Sequence, residues 1–212
     1  MIEKEFFFHD LPIKIGINCS REFLSISDFD GHIEAFTMIL KGEGIIDDNF
    51  NWTYGNGHLI ISGDLFDRGF HVTECMWLLY KLEDEAKAQG GKVHLIIGNH
   101  EMFNLKDDWR YVEVKYFNNA HLLGKRMIEL YDSNTELGRW LRSKNIIERL
   151  GDYAFMHGGI SPEVSELNLT YDQINQYGRL EMDGNCSNSE CDIVTGSKGV
   201  YWYRGMAEEE LT

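Results

Sequence analysis

Gly63-Asp64-Leu65-Phe66-Asp67-Arg68-Gly69 follows directly on the apolar run Leu59-Ile60-Ile61-Ser62 and packs two carboxylates and a guanidinium into one short loop. Similar stretches stand on either side: Ser27-Asp28-Phe29-Asp30-Gly31 before it, and Gly98-Asn99-His100-Glu101 after it. Each follows a strand-like run and precedes a helix-like pattern. Oxygen and nitrogen donors delivered from separate strand ends are what a two-metal phosphoester-cleaving centre requires.

The spacing of apolar residues outlines the elements that carry these loops. Phe23-Leu24-Ser25-Ile26-Ser27 reads as a buried strand running into Asp28. Ile33, Ala35, Phe36, Ile39 and Leu40 recur at helical spacing until Gly42 and Gly44 end the pattern. Leu59 to Ser62 predicts a second strand, and Val72 to Ala88 an amphipathic helix closed by Gly90-Gly91. Val93 to Ile97 predicts a third strand, ending at Gly98. Thr135 to Ser143 predicts a helix capped by Thr135. Tyr153 to Met156 predicts a fourth strand that delivers His157-Gly158-Gly159-Ile160-Ser161-Pro162. This alternation implies an α/β architecture with ligands at the carboxyl ends of strands.

Length and composition bound the alternatives. A chain of 212 residues, 43% hydrophobic and 26% charged, is expected to form a single domain spanning residues 1–212 with a real core. A net charge of -15 argues against binding nucleic acid or anionic membrane through a general field. Bound divalent cations would offset part of that charge, and the rest reads as solubilising surface. No apolar run approaches the roughly 18 residues of a membrane helix. The start, Met1-Ile2-Glu3-Lys4-Glu5-Phe6-Phe7-Phe8, lacks a signal-peptide core, so a cytoplasmic location is the default expectation. Cys19 and Cys75 read as buried thiols. Cys186 and Cys191 flank a polar loop whose spacing allows a local disulfide, but intracellular thiols usually stay reduced and the reduced pair is expected. A zinc pair there is disfavoured by the loose spacing.

The donors decide the chemistry. Asp28, Asp30 and Asp64 are hard oxygen donors, Asn99 offers a neutral carbonyl oxygen and His157 an imidazole nitrogen. Such a mixed set suits manganese, iron or zinc better than calcium. Asp64 can bridge two ions through its two oxygens, and a water between them would lose a proton near neutral pH to become the nucleophile. Arg68 can grip phosphate oxygens in a bidentate fork. His100, beside Asn99, is set to protonate the leaving alkoxide, with Asp67 orienting its ring. In isolation Asp64 and Asp67 would read as helix-capping turn residues and His157 as a hydrogen-bonded core histidine. The ordered set of motifs outweighs that reading.

Together the GDxxDRG loop, Gly98-Asn99-His100-Glu101 and His157-Gly158-Gly159 resemble the calcineurin-like metallophosphoesterase superfamily, in its phosphoprotein-phosphatase branch. Val200-Tyr201-Trp202-Tyr203-Arg204-Gly205 is similar to the ending of the bacterial-type Shewanella-like phosphatases. The resemblance covers residues from about 23 to 205. It implies a β-sandwich flanked by helices and two divalent ions, manganese first, with iron, zinc or magnesium as alternatives. It implies that Asp28, Asp30 and Asp64 hold the first ion, that Asp64 bridges, and that Asn99 and His157 hold the second. His100, Asp67 and Arg68 are then the catalytic set, and Arg68, Asn99 and Arg204 face the substrate. The implied activity is hydrolysis of a phosphomonoester, in a phosphoprotein or a small phosphate ester, by a metal-bridging hydroxide.

Two departures from the family pattern stand out. Its opening motif is Asp-x-His-Gly, and here it reads Asp28-Phe29-Asp30-Gly31. His32 is the nearest substitute, but at an adjacent loop position its side chain is expected to point elsewhere. The family also supplies a Gly-His after the Trp-Tyr-Arg-Gly element, whereas no histidine follows His157 in this chain. The expectation is therefore a C-terminally incomplete domain. The alternative function is a phosphate- or phosphoprotein-binding module of the same fold with impaired catalysis.

Overall fold

In the computed structural model, residues 16–19 and 23–208 are described, and contacts divide them between two compact units. The first unit holds the chain up to Leu95 together with Tyr111–Lys115. The second holds Ile96–Arg110 and the chain from Tyr116 onward. The sequence-based reading of Cys19 as a buried thiol concerns a side chain outside the described set.

The first unit is built on a four-stranded sheet in the order β1 (Gly16–Cys19), β2 (Phe23–Ser27), β3 (His58–Ile61), β4 (Lys92–Leu95). β1 pairs antiparallel to β2, and β2, β3 and β4 run parallel. Parallel pairing needs crossovers, supplied here by α1 (Ile33–Gly42) between β2 and β3 and α2 (Val72–Ala88) between β3 and β4. Strands covered on both faces are expected to be nearly continuous in apolar residues. Leu24, Ile26, Leu59, Ile60, Ile61, Val93 and Leu95 are accordingly buried. α1 and α2 bury Phe36, Leu40, Met76, Leu79 and Leu82 from the stripes read in the sequence. Phe29, immediately after Asp28, stacks on Phe36 with ring centroids 4.2 Å apart and anchors its loop to α1. His58 and His94, which carried no functional pattern, hydrogen-bond one another between β3 and β4 (Nδ1 to Nε2, 2.9 Å).

The second unit begins inside the predicted third strand, whose last two residues, Ile96 and Ile97, lie beyond β4. Ile96 bridges to Asn145, and the Ile97 N–H donates to the Asn145 carbonyl. α3 (Asn99–Leu105) follows, then α4 (Val114–Leu122), whose first two residues belong to the first unit, α5 (Met127–Leu130) and α6 (Glu136–Arg142). Thr135 caps α6 as expected, its hydroxyl accepting from the Gly138 N–H. β5 (Ile147–Leu150) and β6 (Tyr153–Met156) form an antiparallel hairpin. The Tyr153–Met156 strand is therefore real, but among the described residues it pairs with β5, a partner that no hydrophobic alternation had marked. α7 (Pro162–Glu166), α8 (Tyr171–Met182), α9 (Ser189–Thr195) and α10 (Gly205–Glu208) complete the described chain. Cys186 and Cys191 are joined as a disulfide, contrary to the reduced pair expected from the compartment argument, so neither offers a thiolate to a metal. Cys75 is buried, and burial pushes its thiol well above the usual range, as befits an inert core residue.

α8 docks on β5 through two residues one turn apart. Gly178 has no side chain, and a Cβ there would fall 2.7 Å from Ile146 Cγ2. Asn175, buried beside it, accepts from the N–H groups of Ile146 and Ile147 and donates to the Ile147 carbonyl at 2.9 to 3.1 Å. One amide thus satisfies three backbone groups that the hairpin leaves unpaired, and each would cost about 1–3 kcal/mol if stranded. Asn175→Ala is expected to lower unfolding stability by about 3 kcal/mol, seen as a fall of roughly 10 °C in Tm by calorimetry. A change under 1 °C would show that the amide carries no such load.

Candidate metal and phosphate site

In the first unit the two acidic loops lie backbone against backbone. The Asp28 N–H donates to the Gly63 carbonyl (3.4 Å), Asp30 N–H to the Asp64 carbonyl (3.1 Å) and His71 N–H to the Gly31 carbonyl (3.0 Å). Gly69 makes that approach possible, because a Cβ there would sit inside contact distance of the Asp30 carbonyl oxygen and the Gly31 backbone. The outer glycine of the GDxxDRG loop is therefore a steric requirement for joining the two motifs.

That apposition bends both loops. Asp28, Asp30, Asp64, Asp67 and Arg68 all have left-handed backbones, with φ of 57°, 44°, 54°, 72° and 53°. Only three other non-glycine residues among those described share this property, Phe50, Asp107 and Asn168. Asp tolerates the left-handed region better than most residues, and Arg does so at a cost. Such conformations cluster where neighbouring structure over-determines them, commonly at binding and catalytic sites.

The strained loops converge on negative charge. Asp30, Asp64 and Asp67 are buried, and a carboxylate oxygen of Asp28 lies within 4.8 Å of one from Asp64. The Ser27 hydroxyl donates to the Asp28 carboxylate. Burying like charges this closely is unfavourable unless a cation compensates them. Arg68 supplies one, its Nη1 lying 2.6 Å from Asp30 Oδ1. Arg68 is itself held from a third direction: its N–H donates to the Tyr111 carbonyl (3.0 Å), and its guanidinium carbon lies 5.4 Å from the Tyr111 ring centre. His32 does not join the acidic set through Nδ1, which donates to the Phe29 carbonyl at 3.0 Å.

The second unit presents the nitrogen and amide donors. Asn99 opens α3, and the fully buried Glu101 accepts from the Gly98 N–H at 2.7 Å, which fixes the first turn. The Asn99 side chain is buried, yet its Oδ1 has no hydrogen-bond partner. A buried, unpartnered carbonyl oxygen costs about 1–3 kcal/mol, which a bound cation or a hydrogen-bond donor would recover. His100, also buried, packs edge-on against Phe103 (centroids 5.5 Å apart), and Phe103 packs in turn on Trp202 (5.4 Å).

The turn after β6 is tied to the Trp-Tyr-Arg segment. Gly158 N–H donates to the Val200 carbonyl at 2.8 Å. A Cβ on Gly158 would lie 2.9 Å or less from Val200 O, Trp202 N and Arg204 Nη1, so only glycine admits this crossing. Arg204 Nη2 then reaches His157 Nε2 at 3.0 Å, which makes that nitrogen an acceptor and places the imidazole proton on Nδ1. Burial, with Glu181 adding to it, pushes the Tyr201 phenol well above its ordinary range, so it stays neutral. A cavity of about 610 Å³ lies within this unit, lined by Phe103, Lys106, Tyr201 and Trp202 among others.

Each predicted site residue thus lies in an ordered loop or helix start. The first unit brings together Asp28, Asp30, Asp64 and Arg68, with Asp67 buried in the same loop; the second unit pairs His157 with Arg204 and sets Asn99 beside His100 at the start of α3. Two residues escaped the sequence reading. Glu101 had a signal, since it stands three residues after Gly98 in capping-box spacing. Tyr111 had none, because its contact with Arg68 exists only through tertiary structure.

The family model for calcineurin-like phosphoesterases matches residues 22–208. Shewanella-like protein phosphatase 1 of Plasmodium berghei is 30% identical over 200 residues, covering 91% of this chain and 54% of that protein. Shewanella-like protein phosphatase 2 of Arabidopsis thaliana is 26% identical, covering 88% of this chain and 58% of its own length. Among solved structures, a cold-active protein tyrosine phosphatase superposes with a TM-score of 0.85 at 38% identity, covering 90% of this chain and 57% of that one. The same score is reached at 34% identity, over 96% and 66%, by the cold-active protein-tyrosine phosphatase of a psychrophilic Shewanella species. The chain spans little more than half the length of the curated relatives it matches. On the extent of the family match, the chain belongs to the calcineurin-like phosphoesterases.

Proposed function

We propose that the chain carries the catalytic elements of a metal-dependent phosphatase that hydrolyses phosphomonoesters. The observation that carries the proposal is the meeting of two strained loops that hold Asp28 and Asp64 within 4.8 Å with Asp30 alongside. A protein accepts that electrostatic cost where cations are to be bound. The buried, unpartnered Asn99 Oδ1 fits the same need. Asp28, Asp30 and Asp64 would hold the first divalent ion, and Asn99 and His157 the second, His157 through the Nε2 lone pair once Arg204 turns from it to the phosphate. Oxygen donors with a single imidazole favour manganese, with iron, zinc or magnesium as alternatives. When bound, such ions activate water and offset charge on the phosphate.

The chain's own residues supply the rest. Arg68 offers a planar fork of N–H donors to the phosphate oxygens, and Arg204 a second guanidinium. His100 protonates the leaving oxygen, with Asp67 as the carboxylate that orients it. The names of the relatives, protein phosphatases and a protein tyrosine phosphatase, support a phosphoprotein as substrate. No helix among the described residues is long and apolar enough to cross a membrane.

Manganese-dependent hydrolysis of p-nitrophenyl phosphate is the expected activity, and Asp64→Asn should abolish it. A full-length protein that turns over nothing with any divalent metal, while binding phosphate, would instead mark a binding module of this fold. His100→Asn should lower kcat by about 10²–10⁴-fold with little change in KM, as removal of a general acid does, and a leaving group that needs no protonation should restore much of the rate. Asn99→Leu removes the stranded acceptor while keeping similar volume. In metal-stripped protein it should raise stability by about 1 kcal/mol, and it should reduce the Tm increase that manganese gives the wild type. Loss of stability without metal would show that Asn99 is held by contacts of another kind.

A further inference from the structure

Asp30 stands where the family pattern has a histidine, and its carboxylate pairs with Arg68 at 2.6 Å. We infer that Asp30 and Tyr111 are positioning residues that hold the Arg68 guanidinium in the orientation in which it takes phosphate oxygens, an inference that rests on the phosphatase reading above.

The chemistry of the exchange points this way. An imidazole that gives its one lone pair to a metal presents only an N–H on its other nitrogen, and an N–H cannot accept from a guanidinium. A carboxylate has two oxygens with about four lone-pair directions, so it can pair with arginine whatever else it holds. Aspartate at this position therefore permits a link between the opening loop and the phosphate grip that histidine forbids.

Geometry makes the link rigid. Both backbones are fixed: Asp30 N–H by the Asp64 carbonyl, Arg68 N–H by the Tyr111 carbonyl, and the two loops against each other by the close passage of Gly69 over Asp30 and Gly31. The Asp30 side chain is 13% exposed and that of Arg68 47%, so the acceptor is sheltered while the fork reaches solvent. Tyr111 presents its ring to the guanidinium, a contact that orients the plane without consuming an N–H. A long arginine normally loses rotamer freedom when it grips a ligand, and pre-ordering removes much of that cost before phosphate arrives.

Asp30→Asn tests this cleanly, because asparagine tolerates the left-handed backbone required at φ 44°. In the enzyme at saturating manganese it should raise KM and the inhibition constant for inorganic phosphate together, by about tenfold, with metal content followed by mass spectrometry because Asp30 is also a proposed metal donor. Tyr111→Leu should move the same two constants by about threefold in the same direction. In an Arg68→Gln background both changes should have no further effect, since the residue they position is gone. A purely structural pair would move Tm and leave the phosphate constants alone. Loss of metal with unchanged phosphate inhibition, or additivity with Arg68→Gln, would overturn the inference and leave the phosphatase reading standing. A wild-type protein without turnover would remove that reading, and the inference with it.

Discussion

The constraint on which the acidic site depends is the contact of two peptide backbones where Gly69 crosses Asp30 and Gly31. Nothing larger than hydrogen fits at Gly69, and the hydrogen bonds from Asp28, Asp30 and His71 across the crossing leave the loops no room to relax. The left-handed conformations of Asp28, Asp30, Asp64, Asp67 and Arg68 belong to this one crossing. The sheet supplies the foundation, since parallel pairing of β2 with β3 brings both loops out at the same edge. Hydrophobic burial of Leu24, Ile26, Leu59 and Ile61 then opposes the cost of holding carboxylates close together.

The second unit solves a comparable problem with different parts. Gly158 allows the turn after β6 to pass the Val200–Arg204 segment, much as Gly69 does in the first unit. At Asn99 the cost is borne by a single atom, a buried carbonyl oxygen without a partner. Glu101 makes that tolerable by fixing the first turn of α3, so the helix does not have to unravel to hydrate its neighbour. In both units, glycine determines how closely two segments approach.

Much of this was legible in the sequence because the signals were local. The α2 boundaries, Val72 and Ala88, follow from helical periodicity closed by Gly90-Gly91, and the Thr135 cap from its position before an amphipathic run. Strand ends carrying Asp28, Asp64 and His157 were readable because short apolar runs break at polar loops. What escaped depended on contacts distant in sequence. The β5 strand, Ile147–Leu150, alternates too weakly to announce itself and is defined by its partner β6. The Cys186–Cys191 disulfide was discounted on a compartment argument, although the five-residue spacing allowed it. Asp30 was read from its place in the motif as a metal donor; its pairing with Arg68, 38 positions away, required the fold.

That pairing changes what the departure from Asp-x-His-Gly means. A histidine replaced by aspartate would, on ligand counting alone, suggest a damaged centre with a surplus negative charge. The guanidinium of Arg68 offsets that charge locally, at a distance where charge-assisted hydrogen bonds are strongest. The loop of Asp30 and the loop of Arg68 then share one electrostatic unit, and neither residue can be exchanged without exposing the other. A buried carboxylate that has lost its arginine is penalised, and an arginine that has lost its carboxylate regains rotamer freedom it must later surrender. Aspartate at position 30 is thus better understood as half of a pair than as a lost histidine.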